Sequence, residues 1–155
     1  EFLNNYQLPL PTGQSPAVQN FGSDITVYQD IALVTDFPLG NADGRVHIYR
    51  FSSSWSYETT LIGEKAGDSF AAAMALTSQV GSRYLLIVSA LLANTRGSAY
   101  IYLSNGTSWR QICRADSPQS INQFGSCVAI NQTTAVSGVS SVGRLYSLTG
   151  NSITQ

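Results

Sequence analysis

The sequence predicts an all-β chain of repeated four-stranded antiparallel units, about three per chain. Three observations carry this. Phe21-Gly22-Ser23-Asp24-Ile25-Thr26-Val27 is matched by Phe124-Gly125-Ser126-Cys127-Val128-Ala129-Ile130, with Phe70-Ala71-Ala72-Ala73-Met74-Ala75-Leu76 as a worn middle copy. Each copy is followed by a β-rich run (31–34, 84–88, 134–136) and then by a glycine, Gly44, Gly97 or Gly143, that opens a third strand. Finally, Tyr6 and Phe21, Trp55 and Phe70, and Trp109 and Phe124 are each fifteen residues apart. Equal spacings between dissimilar residues mark true repetition. A four-stranded unit with a period of about 50 residues is the sequence signature of a β-propeller blade, which buries its faces only by stacking on its neighbours.

The chain divides accordingly. Residues 1–20 supply a spare outer strand and a connector. The repeats follow at about 21–69, 70–123 and 124–155, with strands expected over 21–61, 70–113 and 124–155. In the spare strand, Tyr6 takes the place of Trp55 and Trp109. Tyr6, Leu8 and Leu10 form its pattern, and Pro9 and Pro11 suit an outer edge because proline cannot donate to a ladder. In the first repeat Asp43-Gly44 marks a turn. The third strand then alternates, Val46 and Ile48 against His47 and Tyr49. The Ala-rich opening of the second repeat is too short for a stable helix, and the repeat register makes it a strand. The last repeat reaches three strands by Leu148, and Ile153 takes the tryptophan position of a truncated fourth.

The motif FGSCVAI, a middle strand ending near Ser-Gly, and GRLYSL together resemble the FG-GAP repeat of integrin alpha-subunit propellers. The likeness covers nearly the whole chain and is poorest at Phe70-Ala71, where Phe-Gly is expected. It implies propeller blades, and in many such blades a calcium loop. The candidate ligands are Asp36, Asn41 and Asp43, although their spacing is not the family's and residues 41–44 read equally as a plain turn. Calcium uses several oxygen ligands from a tight turn.

Composition narrows the function. Only 11% of the 155 residues are charged and the net charge is −1, which excludes the basic footprint of a nucleic-acid binder. No apolar stretch is long enough for membrane insertion as a helix. No leader segment is visible, which fits a mature secreted chain or a cytosolic one. Asn105-Gly106-Thr107 and Asn131-Gln132-Thr133 are glycosylation sequons at expected turns. Cys113 and Cys127 are the two cysteines, and in a secreted chain they suggest one disulfide. Closing that loop would contribute roughly 3 kcal/mol, and two buried thiols are the alternative. Together these features point to an extracellular or cell-surface location.

No catalytic constellation stands out. His47, the single histidine, lies on a predicted strand among tyrosines. Asp24 and Asp30 have no pattern that sets them at a working distance. Tyr49, Tyr57, Tyr100, Tyr102, Trp55 and Trp109 recur at equivalent positions, as core residues do. The expected function is therefore a non-enzymatic structural module without a required cofactor. Its partners are other copies of itself, through exchange of the spare strand into a closed dimer or a filament. The alternative is an adhesive propeller that binds glycans or cell-surface proteins, and a fragment of a longer propeller would show the same pattern.

Overall fold

A computed structural model describes residues 8, 9, 11, 21–36, 44–79, 81, 83–117, 122–139, 142–149 and 152–154. Among them, twelve strands form three antiparallel sheets. The first sheet holds β1 (Phe21–Tyr28), β2 (Ile31–Asp36), β3 (Arg45–Phe51) and β4 (Trp55–Ile62) in sequence order. The second holds β5 (Phe70–Gln79), β6 (Arg83–Ala90), β7 (Ser98–Ser104) and β8 (Trp109–Asp116). The third holds β9 (Cys127–Ile130), β10 (Thr134–Val139), β11 (Val142–Thr149) and β12 (Ser152–Thr154). The only helical turn among the described residues is a 3-10 turn at Ala93–Thr95. Ile153 pairs with Leu148, so the truncated last strand exists.

The sheets stack in chain order. Ile31, Leu33, Val46 and Ile48 of the first pack on Phe70, Met74, Leu76, Leu86 and Val88 of the second. The second sheet's opposite face, with Leu85, Ile87 and Ile101, packs on Phe124, Val128, Ile130 and Ala135. A sheet covered on both sides needs middle strands that are apolar throughout. That is why Tyr84 to Ala90 and all of β7 are buried, and why they read as continuous runs instead of alternating ones. Ala-rich β5 is a strand, as the register predicts, because cross-sheet burial outweighs alanine's helix preference.

The Phe-Gly motif has a backbone cause. Gly22, Ala71 and Gly125 all have positive φ (88°, 67° and 96°). In the first two copies this residue begins a bulge, between Phe21/Ile25 and Phe70/Met74. The bulge is held by a hydroxyl from β2 or β6. Thr35 Oγ1 accepts from Asp24 N at 2.8 Å, and Ser89 Oγ accepts from Ala73 N at 2.9 Å. The third copy departs from the expectation of a strand starting at Phe124. There Gly138 opposes Cys127, so no hydroxyl is available, and the strand opens only at Cys127. The glycine before the third strand has a cause too. A Cβ on Gly97 would lie 2.2 Å from the Phe124 carbonyl oxygen, because Phe124 N donates to Arg96 O there.

Candidate functional site

The far face of the first sheet repeats the face by which the second sheet packs on the first. Phe21 lies 5.5 Å from His47, as Phe70 lies 5.7 Å from Tyr100. Val34 and Ile25 are paired as Val88 and Met74 are. Tyr49 stands where Tyr102 does. The difference is coverage. Met74 and Leu76 are 8% and 9% exposed against the first sheet, whereas the matching Ile25 and Val27 are 56% and 60% exposed. Leu8 packs near Ala32, Val34 and Tyr49 on this face. Leu8 and Pro9 belong to no strand here, and Tyr6 and Leu10 lie outside the described residues.

The same face buries a polar group. Asp36 and His47 are wholly buried. Asp36 Oδ2 lies 3.6 Å from His47 Nε2 and 3.9 Å from the Arg45 guanidinium, both beyond hydrogen-bond reach. His47 Nδ1 shares a 2.7 Å hydrogen bond with Thr60 Oγ1, which also meets the Tyr57 hydroxyl at 2.8 Å. Burial pushes the His47 pKa down; Asp36 opposes that and Arg45 adds to it. Of the candidate calcium ligands, Asp36 therefore faces a guanidinium and an imidazole, and Asn41 and Asp43 lie outside the described residues. Among the described residues no group of three or more His, Cys, Asp or Glu could hold a metal ion. Nor is any helix there long and apolar enough to cross a membrane.

The seam between the first two sheets is the best-connected polar feature. Glu58 is the extra residue of a bulge in β4, since Ile48 pairs with Thr59 and Tyr49 with Tyr57. A bulge re-aims its side chain. Glu58 Oε1 accepts from Trp109 Nε1 at 2.8 Å, and Oε2 accepts from Arg50 Nε at 2.7 Å. Arg50 also donates to Asp30 at 2.9 Å, and the Tyr84 hydroxyl donates to Asp30. Burial raises the Tyr84 pKa to about 12, with the Asp30 bond adding to it. Tyr84 stacks on Trp109 at 6.5 Å. Sequence reading missed Glu58, because a bulge follows from pairing and leaves no local composition signal. The Thr35 and Ser89 hydroxyls were missed too; the one signal that could have found them is the shared hydroxyl after valine in Val34-Thr35 and Val88-Ser89.

Both sequon asparagines are exposed and shape tight turns. Asn105 Oδ1 accepts from Thr107 N at 3.0 Å and Ser108 N at 2.9 Å. Asn131 Oδ1 accepts from Thr133 N at 2.9 Å and Thr134 N at 2.7 Å. The expected Cys113–Cys127 disulfide is absent. Cys113 is on β8, the outermost strand of its sheet, whereas β9, which Cys127 opens, packs on β5 and β6 at the other side. Three strand spacings of about 4.8 Å separate β5 from β8, well over the reach of a disulfide.

No protein-family model matches the chain, and no curated protein is similar to it. The FG-GAP likeness thus rests on the residues quoted above.

Proposed function

We propose that this is a non-enzymatic extracellular assembly module of FG-GAP-like propeller blades that associates with further copies of itself. The observation that carries this reading is the exposure of β1 on the far face of the first sheet, whose β2 and β3 residues are buried. Ile25 and Val27 stay exposed at positions where the second sheet buries Met74 and Leu76. A sheet face of this kind gains stability only by stacking. The third sheet offers a complement, with Cys127 and Ala129 exposed on the side away from the second sheet. End-to-end stacking is a heterologous contact, which gives a ring if it closes and a filament if it does not. Strand complementation by residues 6–10 secures the contact, as in strand addition. The filament is preferred over the closed dimer.

Light scattering on the full chain and on a chain lacking residues 1–11 tests this. The full chain should exceed monomer mass at micromolar concentration, and the deletion should reduce it. Ile25→Lys with Val27→Lys should do the same. A monomeric full chain, or an assembly indifferent to the deletion, ends the proposal.

A second reading, a sugar-binding or protein-binding propeller, is supported by a cleft at the seam of the first two sheets. Glu58, Thr59, Leu61, Thr107, Ser108 and Trp109 line it.

A further inference from the structure

The seam cleft lies between β4 and β8 at Trp109. It encloses about 250 Å³, smaller than the usual pocket for a drug-sized ligand and suited to a single ring. Its floor is amphipathic. Trp109 and Leu61 supply apolar surface; Glu58, Thr59, Thr107 and Ser108 supply polar groups. Tyr84 occupies one side of the indole, which holds Trp109 in place at low entropic cost. Glu58 accepts one bond at each oxygen, yet a carboxylate has about four acceptor sites. Two remain for hydroxyl donors.

The cleft adjoins a sequon. Thr107 and Ser108, which line it, are the residues whose N–H and hydroxyl groups all converge on Asn105 Oδ1. The turn thus engages the carbonyl oxygen of the amide and leaves Nδ2, the atom that carries an N-linked sugar, outside its bonding. The relationship recurs one seam further on. Thr133 of the second sequon lines a cleft of about 310 Å³ with Gln79, Arg83 and Gln132, and its N–H and hydroxyl again converge on Asn131 Oδ1.

We infer that the cleft between β4 and β8 at Trp109 is a pyranose subsite whose occupant is the first sugar of a glycan on Asn105. A pyranose has an apolar C–H face for the indole and a rim of hydroxyls for Glu58, Thr59 and Ser108. Aromatic rings with a polar handle suit such half-apolar ligands. Bound there, the sugar bridges the first and second sheets. The linked occupant rests on the extracellular reading above; the subsite itself does not, since a free saccharide presents the same chemistry.

The test separates the two. Chain made in bacteria, hence without glycan, is titrated with N,N′-diacetylchitobiose while the indole N–H signals of Trp109 and Trp55 are followed by NMR. Trp109 should shift and saturate with Kd on the order of 1 mM, with Trp55 unmoved. Thr59→Tyr, which fills the cleft, should weaken binding at least about tenfold with the melting temperature unchanged. An unmoved Trp109 signal, or equal binding by Thr59→Tyr, overturns the subsite. Chain made in a eukaryotic secretory host should show the Trp109 signal already shifted, without added sugar. If mass analysis shows Asn105 glycosylated and the signal is unshifted, the linked occupant is overturned. If Asn105 is unmodified, the linked occupant is overturned as well, and the bacterial titration still decides the subsite.

Discussion

Trp109 Nε1 donates to Glu58 Oε1 at 2.8 Å across the seam between two separate sheets. The two residues are far apart in sequence and come from the outer strands of successive repeats. Arg50, Asp30 and Tyr84 extend the bond into a network, and networks of this kind couple their members.

Glu58→Ala should destabilise the chain by about 1–3 kcal/mol, because it removes acceptors from both Arg50 and Trp109. Trp109→Phe should cost less in the Glu58→Ala background than alone. Urea denaturation of the double-mutant cycle measures the coupling; strict additivity would show that the bond contributes nothing.

Ala71 holds φ at 67°, where a Cβ costs roughly 1–2 kcal/mol. Ala71→Gly should therefore be neutral to stabilising by about 1 kcal/mol, since glycine's extra unfolded-state entropy offsets part of the relief. Gly97→Ala should do the opposite. Its Cβ would sit 2.2 Å from the Phe124 carbonyl oxygen at a φ of 102°. Thermal melts check both: Ala71→Gly should match or exceed the parent chain, and Gly97→Ala should melt below it.

Ser89→Ala should cost about 1–3 kcal/mol by stranding the Ala73 N–H inside the bulge. Ser137→Ala should be neutral or stabilising. The Ser137 hydroxyl is buried and, among the described residues, finds no hydrogen-bond partner. The two chemically identical changes should differ clearly in denaturation midpoint.

Acid should weaken the fold in two stages. Burial lowers the His47 pKa, so the unfolded chain takes up the imidazole proton first, near pH 6.5. The contribution is whole above that pH and is lost as pH falls toward the folded value, at about 1.4 kcal/mol per unit. His47→Tyr, the residue at the matching position in the second sheet, should flatten this limb. A second loss follows at lower pH. Burial opposes ionisation of Asp30, but its bonds to Tyr84 and Arg50 outweigh that and hold its pKa below the model-peptide value of 3.8. Its stabilisation is present above that value and lost as pH falls through the folded pKa. Stability measured by denaturant from pH 8 to pH 3 shows both limbs.

Material from the natural source should carry a glycan at Asn105 or Asn131. Peptide mass analysis decides this. Both asparagines bare would count against an extracellular location.

The sequence by itself determined the class and the period. Strand content, the Phe-Gly openings and the Trp55 and Trp109 positions were readable because side-chain alternation, left-handed turns and burial on two faces are local demands on residue type. The weak copy was legible from its register alone, whereas the structure was needed to show that Ala71 keeps the positive φ of the glycine positions. What only tertiary structure decided depends on register. Glu58 meets Trp109 because a bulge turns it toward the next sheet. Cys113 misses Cys127 because β8 and β9 lie at opposite edges of the second sheet. His47 and Asp36 are sealed together because neighbouring strands pair Val34 with His47 and Asp36 with Arg45. Pairing sets each of these distances, and a one-residue change in register would turn the side chains to the opposite face.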